Sequence, residues 1–208
     1  MHLEVLVEEE SAQAALEVLL PRIIGSEPTF QVHPFRGKKD LLRSLPVRLR
    51  AYARWVPGSD TRILILADRD QQDCRRLKDE LEEICAKARL STKSSALPGA
   101  AFLVLNRLAV EELEAWFFGD CDAIRAAYPG VPASLENQAR YRDPDAIGGG
   151  TWEALERVLQ GAGYHRGGLP RIAAARAIAL HMDPARNRSS SFGVFVSGLK
   201  TLVALEGP

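Results

Sequence analysis

The sequence predicts an α/β fold: a mostly parallel four-stranded sheet flanked by helices, followed by an α-helical C-terminal extension. Three observations carry this. Strand-like and helix-like segments alternate four times before Gly119. The strand candidates are nearly unbroken apolar runs, as expected of parallel strands covered on both faces. Beyond Gly119 only helical spacing remains. A chain of 208 residues can build one substantial core and does not require two independent domains. We therefore expect residues 1–120 to form the α/β core and residues 121–208 a helical extension packed on it as one compact unit.

His2 to Glu8 alternates and then runs apolar, as a first strand should. Ala12 to Ile24 carries helical spacing, with Ser11 as its N-cap. Thr29 to Phe35 reads as the second strand. Lys38 to Trp55 reads as a helix that Pro46 must kink or split. Arg62 to Ala67 is the third strand, and Gln72 to Leu90 a charged helix with an apolar stripe at Leu77, Leu81, Ile84 and Cys85. Ala101 to Asn106 is the fourth strand and Ala109 to Phe118 the fourth helix. Helices are then expected over 122–128, 151–159, 169–181 and 191–205, with Thr151 and Ser189 to Ser191 as caps and Gly148 to Gly150 as a connector.

Composition narrows the class. An apolar content of 46% with 26% charged residues is that of an ordinary soluble globular protein. No apolar run approaches membrane-spanning length, so no membrane partner is expected. Cys74, Cys85 and Cys121 have no CxxC spacing and read as reduced thiols of a cytoplasmic protein. The net charge of zero argues against a protein that merely coats nucleic acid. Charge is nevertheless segregated. Arg36 to Arg62 holds eight basic residues against two acidic ones, whereas Leu108 to Ala123 holds five acidic residues and no basic one. Solvated helix faces would produce the same pattern.

The chemistry concentrates at strand ends, where open parallel sheets bind ligands. Ile63 to Asp70 is an apolar run that stops at two aspartates one residue apart. In extended backbone Asp68 and Asp70 face the same side, with Arg69 turned away or over the rim. Carboxylates this close repel unless a proton or cation lies between them, and a hard divalent ion suits oxygen ligands. Glu8 and Glu9 follow the first strand. Glu111 and Glu114 follow the fourth at the spacing of one helical face. The competing reading is helix capping, by Asp70 for a helix from Gln71 and by Glu8 to Glu10 for the helix after Ser11. Gly37-Lys38 is not a phosphate-binding loop, because Val32 stands where that motif needs glycine.

A glutamate after the first strand and an Asp-x-Asp after a later one resemble the Toprim domain of topoisomerases, primases and overcoming-lysogenization-defect nucleases. Over nearly its full length the chain more closely resembles a bacterial Toprim-like group, domain-of-unknown-function family 4276. The matching stretches are Leu6 to Ser11, Phe35-Arg-Gly-Lys38, Val104 to Trp116, Asp143-Pro-Asp145, His181-Met-Asp-Pro184 and Asn187 to Phe192. The resemblance implies a Toprim-like, Rossmann-like core. It places the Toprim glutamate on Glu8, the aspartates on Asp68 and Asp70, and a further acidic ligand among Glu111, Glu112 and Glu114. Glu9 stands where Toprim proteins carry glycine.

The function so implied is a magnesium- or manganese-dependent nuclease cleaving DNA or RNA, as a component of bacterial defence. Glu8, Asp68 and Asp70 are the expected catalytic residues. Glu8, Glu9, Asp68, Asp70, Glu111 and Glu114 are the expected metal ligands. Backbone phosphates fall to Arg36, Lys38, Lys39, Arg69, Arg107 and Arg188, with Arg186 beside them. The rival expectation, in keeping with the lack of an ATP-binding motif, is a non-catalytic or regulatory partner of an ATPase.

Overall fold

The computed structural model describes residues 1–205. Its sheet comprises β1 (His2–Val7), β2 (Thr29–Pro34), β3 (Thr61–Asp68) and β4 (Val104–Ala109), all parallel and ordered β2-β1-β3-β4. The helices are α1 (Glu10–Ile24), α2 (Lys38–Tyr52), α3 (Cys74–Lys87), α4 (Glu114–Gly119), α5 (Cys121–Ala127), α6 (Thr151–Gly161), α7 (Arg171–Ala179) and α8 (Ser190–Ala204).

Strand order dictates which face each helix covers. The chain steps from β1 to β2 in one direction, then crosses back over β1 to reach β3 and continues outward to β4. Parallel crossovers are right-handed, so reversing direction moves the connecting helix to the other face. The buried side chains obey this rule. Leu6, Ile63, Ile65, Ala67 and Val104 pack against Leu41, Leu45 and Leu49 of α2 and Leu81 and Cys85 of α3. Leu3, Val5, Val7, Leu64, Leu66 and Leu105 pack in the same cluster as Ala15, Leu16 and Leu19 of α1. That second face receives a single crossover helix, too little to cover four strands. The C-terminal helices complete it: α7 lies against α1, α8 lies against β4, and Ile178, Phe192, Phe195 and Leu199 join the same apolar cluster.

Several elements differ from their sequence expectation for identifiable reasons. Pro46 neither breaks nor splits α2, because the buried row Leu41, Leu45 and Leu49 continues across it and holds both halves to the sheet. Pro21 is likewise accommodated inside α1, whose N-cap is Glu9 without a side-chain bond; Ser11 is buried in the first turn. The last strand lies three residues later than expected, because the apolar Ala101 to Leu103 leads into it rather than forming it. That shift removes Glu111 from any helix. It sits in a loop at φ 63°, and α4 begins only at Glu114, so the two glutamates do not share a helical face. Asp73, not Asp70, caps α3 by accepting from the Arg76 amide at 2.9 Å. Ser189 caps α8 as expected, accepting from the Phe192 amide at 3.1 Å. Among the described residues no helix is long and apolar enough to cross a membrane.

Candidate functional site

The strand order reverses between β1 and β3, and the crevice outside their carboxyl ends is where open α/β sheets bind ligands. Glu8 follows β1 and Asp68 ends β3. The register Val7↔Leu66 sets them side by side, and the Asp68 amide donates to Glu8 Oε2 at 3.2 Å. Gly37 closes the adjacent turn. Its amide donates to the Glu8 carbonyl at 3.0 Å, and its φ of 92° explains why glycine stands between β2 and α2.

Three carboxyls at this crevice are driven toward their protonated forms. Glu8, with 7% of its surface exposed, is pushed up to about 7. Burial is the main cause; Lys38 and the Asp68 amide oppose it, while Asp70 and Glu9 add to it. Asp68 is raised well above the carboxylate range by burial and by the charges of Glu8, Glu114, Asp70 and Glu112. Glu114, the first residue of α4, is 1% exposed and also pushed up to about 7 by burial, which the neighbouring Arg171 does not offset. Glu114 Oε2 is buried without a hydrogen-bond partner. The three strand ends therefore converge on an excess of buried negative charge.

Ion pairs surround this centre. Lys38 donates to Asp70, and Arg69 to Glu111. Arg171 Nη1 lies 3.0 Å from Glu9, its Nη2 3.3 Å from Glu114 Oε1, and its guanidinium 5.6 Å over the Trp152 ring. Glu112 does something else. Its Oε2 accepts from the amide and hydroxyl of Thr151, each at 2.8 Å, and from the Trp152 amide at 3.0 Å, capping α6 from a distant loop. Asp70 and Glu111 both hold left-handed backbone, at φ 51° and 63°. This costs about 1–2 kcal/mol per non-glycine residue. The Asp70 amide donates to the Glu111 carbonyl at 2.7 Å, locking the two loops together. A cleft of about 680 Å³ opens beside them, lined by Lys38, Lys39, Asp70, Glu112, Gly150 and Glu153 among others.

Of the residues expected at the site, Glu8, Asp68, Asp70 and Glu114 come together electrostatically. Glu9 and Glu111 stand at the periphery, held by arginines. Lys38 and Arg69 form the rim, and Lys39 and Arg36 follow at the start of α2. Arg107 and Arg188 are not brought to the rim. Arg107 donates to the Asn106 carbonyl at 2.8 Å and the Val194 carbonyl at 3.2 Å. Arg188 donates to the carbonyls of Arg142 at 3.1 Å and Phe118 at 3.2 Å, and Arg186 to Asp120 at 2.7 Å. Two participants carry no sequence signal: Arg171, which pairs with Glu9 after β1 and Glu114 after β4, and Trp152 beneath it.

Among the described residues, no three His, Cys, Asp or Glu side chains form a ready metal cage. The donor set nonetheless suits a hard cation. All donors are oxygen, their charge exceeds what Lys38 and Arg171 compensate, and Glu114 Oε2 lacks a partner. Of these groups, Glu8 and Asp68 are joined directly through the Asp68 amide on Glu8 Oε2, and Glu114 Oε2 is the oxygen left without a partner.

Two motifs outside the rim serve the fold. Asp145 accepts from the Ser189 hydroxyl at 2.7 Å, the Ser191 amide at 2.9 Å and the Ser191 hydroxyl at 3.0 Å. Ser191 also accepts from Trp116 Nε1 at 2.9 Å, which ties α4, α8 and the Asp143–Asp145 turn into one knot. No curated protein and no solved structure matches the chain. A family model described as a domain of unknown function, DUF4276, matches residues 7–200 and so spans β1's last residue, the whole rim and the knot. The chain therefore belongs to the DUF4276 family.

Proposed function

We propose that this protein is a divalent-cation-dependent phosphodiester hydrolase acting on nucleic acid, centred on Glu8, Asp68 and Glu114. One observation carries the reading: burial, with added repulsion from neighbouring carboxylates, raises all three carboxyls around the switch point of the sheet, and Lys38 and Arg171 do not offset it. Glu8 and Asp68 would hold the ion, and Glu114 Oε2, buried without a hydrogen-bond partner, would be its third oxygen. Magnesium or manganese supplies Lewis acidity toward a phosphoryl oxygen and lowers the pKa of water. Glu8 takes or returns a proton at its carboxyl. Lys38 and Arg69 exchange their present carboxylate partners for phosphate oxygens. The likeness of Glu8, Asp68 and Asp70 to the Toprim pattern supports the same roles.

Titration calorimetry with manganese, run beside cleavage assays on single- and double-stranded DNA and RNA, tests this. The wild type is expected to take up the ion and cleave, and Asp68→Ala to do neither. Equal behaviour of the two proteins sinks the proposal. The second reading, a non-catalytic partner of an ATPase, draws on the ion pairs that already occupy Asp70, Glu111 and Glu9. It predicts neither ion uptake nor cleavage by the wild type.

A further inference from the structure

We propose that a trough along α2 leads a single nucleic-acid strand to the carboxylate rim. The inference rests on the hydrolase reading and specifies the form of its substrate. Three clefts follow one another around this helix. The rim cleft takes in Lys38 and Lys39. A second, of about 490 Å³, is lined by Arg36, Lys39, Asp40 and Arg43. A third, of about 630 Å³, is lined by Phe35, Arg43, Val47, Arg48 and Tyr52 among others. Lys39 belongs to the first two and Arg43 to the last two, so each cleft adjoins the next. Lys39, Arg43 and Val47 are spaced at i+4 and therefore line one flank of α2. From Lys38 to Tyr52 the path runs roughly 21 Å along the helix.

The lining suits a strand whose bases are free. Arg36, Lys39, Arg43 and Arg48 face a single carboxylate, Asp40, which accepts from the Arg36 amide at 3.2 Å and from Arg43 at 2.5 Å. Between and beyond these cations lies apolar surface: half-buried Phe35, Val47 with 65% exposure, and exposed Trp55, packed edge-on at 5.7 Å against the buried Tyr52. Arg48 stacks 5.5 Å over the Phe35 ring, and its buried Nη1 has no hydrogen-bond partner. Cations for phosphates interleaved with flat apolar surface for bases are what sequence-tolerant single-strand binding needs. A duplex keeps its base faces stacked inside and would leave the apolar floor unused.

Fluorescence anisotropy with a labelled oligonucleotide of about 20 nucleotides, in EDTA, measures binding apart from ion uptake. The wild type is expected to hold the single strand at least about tenfold tighter than the matching duplex, with a salt slope reduced by about 0.7 for each phosphate contact removed. Lys39→Glu combined with Arg43→Glu is expected to weaken binding tenfold or more. The milder Lys39→Gln with Arg43→Gln should fall between, and Lys87→Glu on α3 should bind as the wild type does. Undiminished binding by both trough variants overturns the proposal. So does a preference for duplex, or for phosphatidylserine vesicles over the oligonucleotide. Manganese titration of the same proteins separates the two claims. Ion uptake without trough-dependent strand binding removes the trough alone; strand binding without ion uptake removes the hydrolase reading.

Discussion

Two polar clusters, one built on a single carboxylate and one on three, flank the same sheet and resolve their charge in opposite ways. Beside β4, Glu82 of α3 accepts from Lys78 at 2.7 Å, from Asn106 Nδ2 at 3.0 Å and from the Thr92 hydroxyl. Lys78 reaches on to the Asn106 carbonyl at 2.9 Å. Burial by itself would raise Glu82, but these bonds override it and hold the carboxyl below its ordinary range. At the rim, Glu8, Asp68 and Glu114 are all raised. The first cluster has a donor for each carboxylate oxygen and ties α3 to the sheet edge. The second carries an uncancelled excess, which a folding chain has no structural reason to assemble. Carboxyls perturbed in this way are concentrated at functional sites, although structural ion-pair networks perturb them as well.

The largest test of this contrast is catalytic. Glu8→Gln keeps the shape of the rim while removing its proton acceptor, and is expected to slow cleavage by a factor on the order of 10²–10⁴. Glu82→Gln should leave cleavage unchanged; equal losses from the two variants would erase the distinction between the clusters.

A second test reads stability against pH. Glu114 has an unfolded value near 4.5 and a folded value of about 7, so the folded state binds its proton more tightly. Stability should therefore fall as pH rises from 4.5 to 7 and level off above, by up to about 3 kcal/mol from this group. Glu114→Gln is expected to flatten that decline in urea titrations without added metal. Saturating manganese, at about 100 times its dissociation constant, should return roughly 2.7 kcal/mol to the wild type above neutrality. A flat pH profile for the wild type would contradict the raised carboxyl.

Smaller effects belong to the compensated cluster. Glu82→Gln leaves Lys78 without its counter-charge and should cost about 1–3 kcal/mol in chemical denaturation. Thr92→Val removes one hydroxyl donor and should cost about 1 kcal/mol. If either variant proved stabilising, the bonds around Glu82 would not be the reason for its low pKa.

Much of this arrangement was legible in the residues. Ile63 to Ala67 could only be a buried strand, and its end fixed where Asp68 would project. Glu8 followed from the same strand-end rule. Glu111 was misplaced because a loop with left-handed backbone looks, in sequence, like the first turn of a helix. Arg171 was illegible for another reason: it meets Glu114 across 57 residues and Glu9 across still more, and no local pattern encodes such a contact. The same is true of Asp145, whose partnership with Ser189 and Ser191 depends on how the second half closes over the sheet.

The cap that Glu112 places on α6 has a consequence for dividing this molecule. Helix α6 begins at Thr151 after Gly150, a residue with no side chain to satisfy the first amides, and borrows its acceptor from the loop after β4. Each half thus holds something the other lacks. A chain cut at residue 120 would leave the Glu112 carboxylate facing an empty seat, and the released half would start its first long helix with bare N–H groups. The two pieces are expected to survive poorly apart and to recombine when mixed. Transplanting either into another protein would mean transplanting the handshake as well.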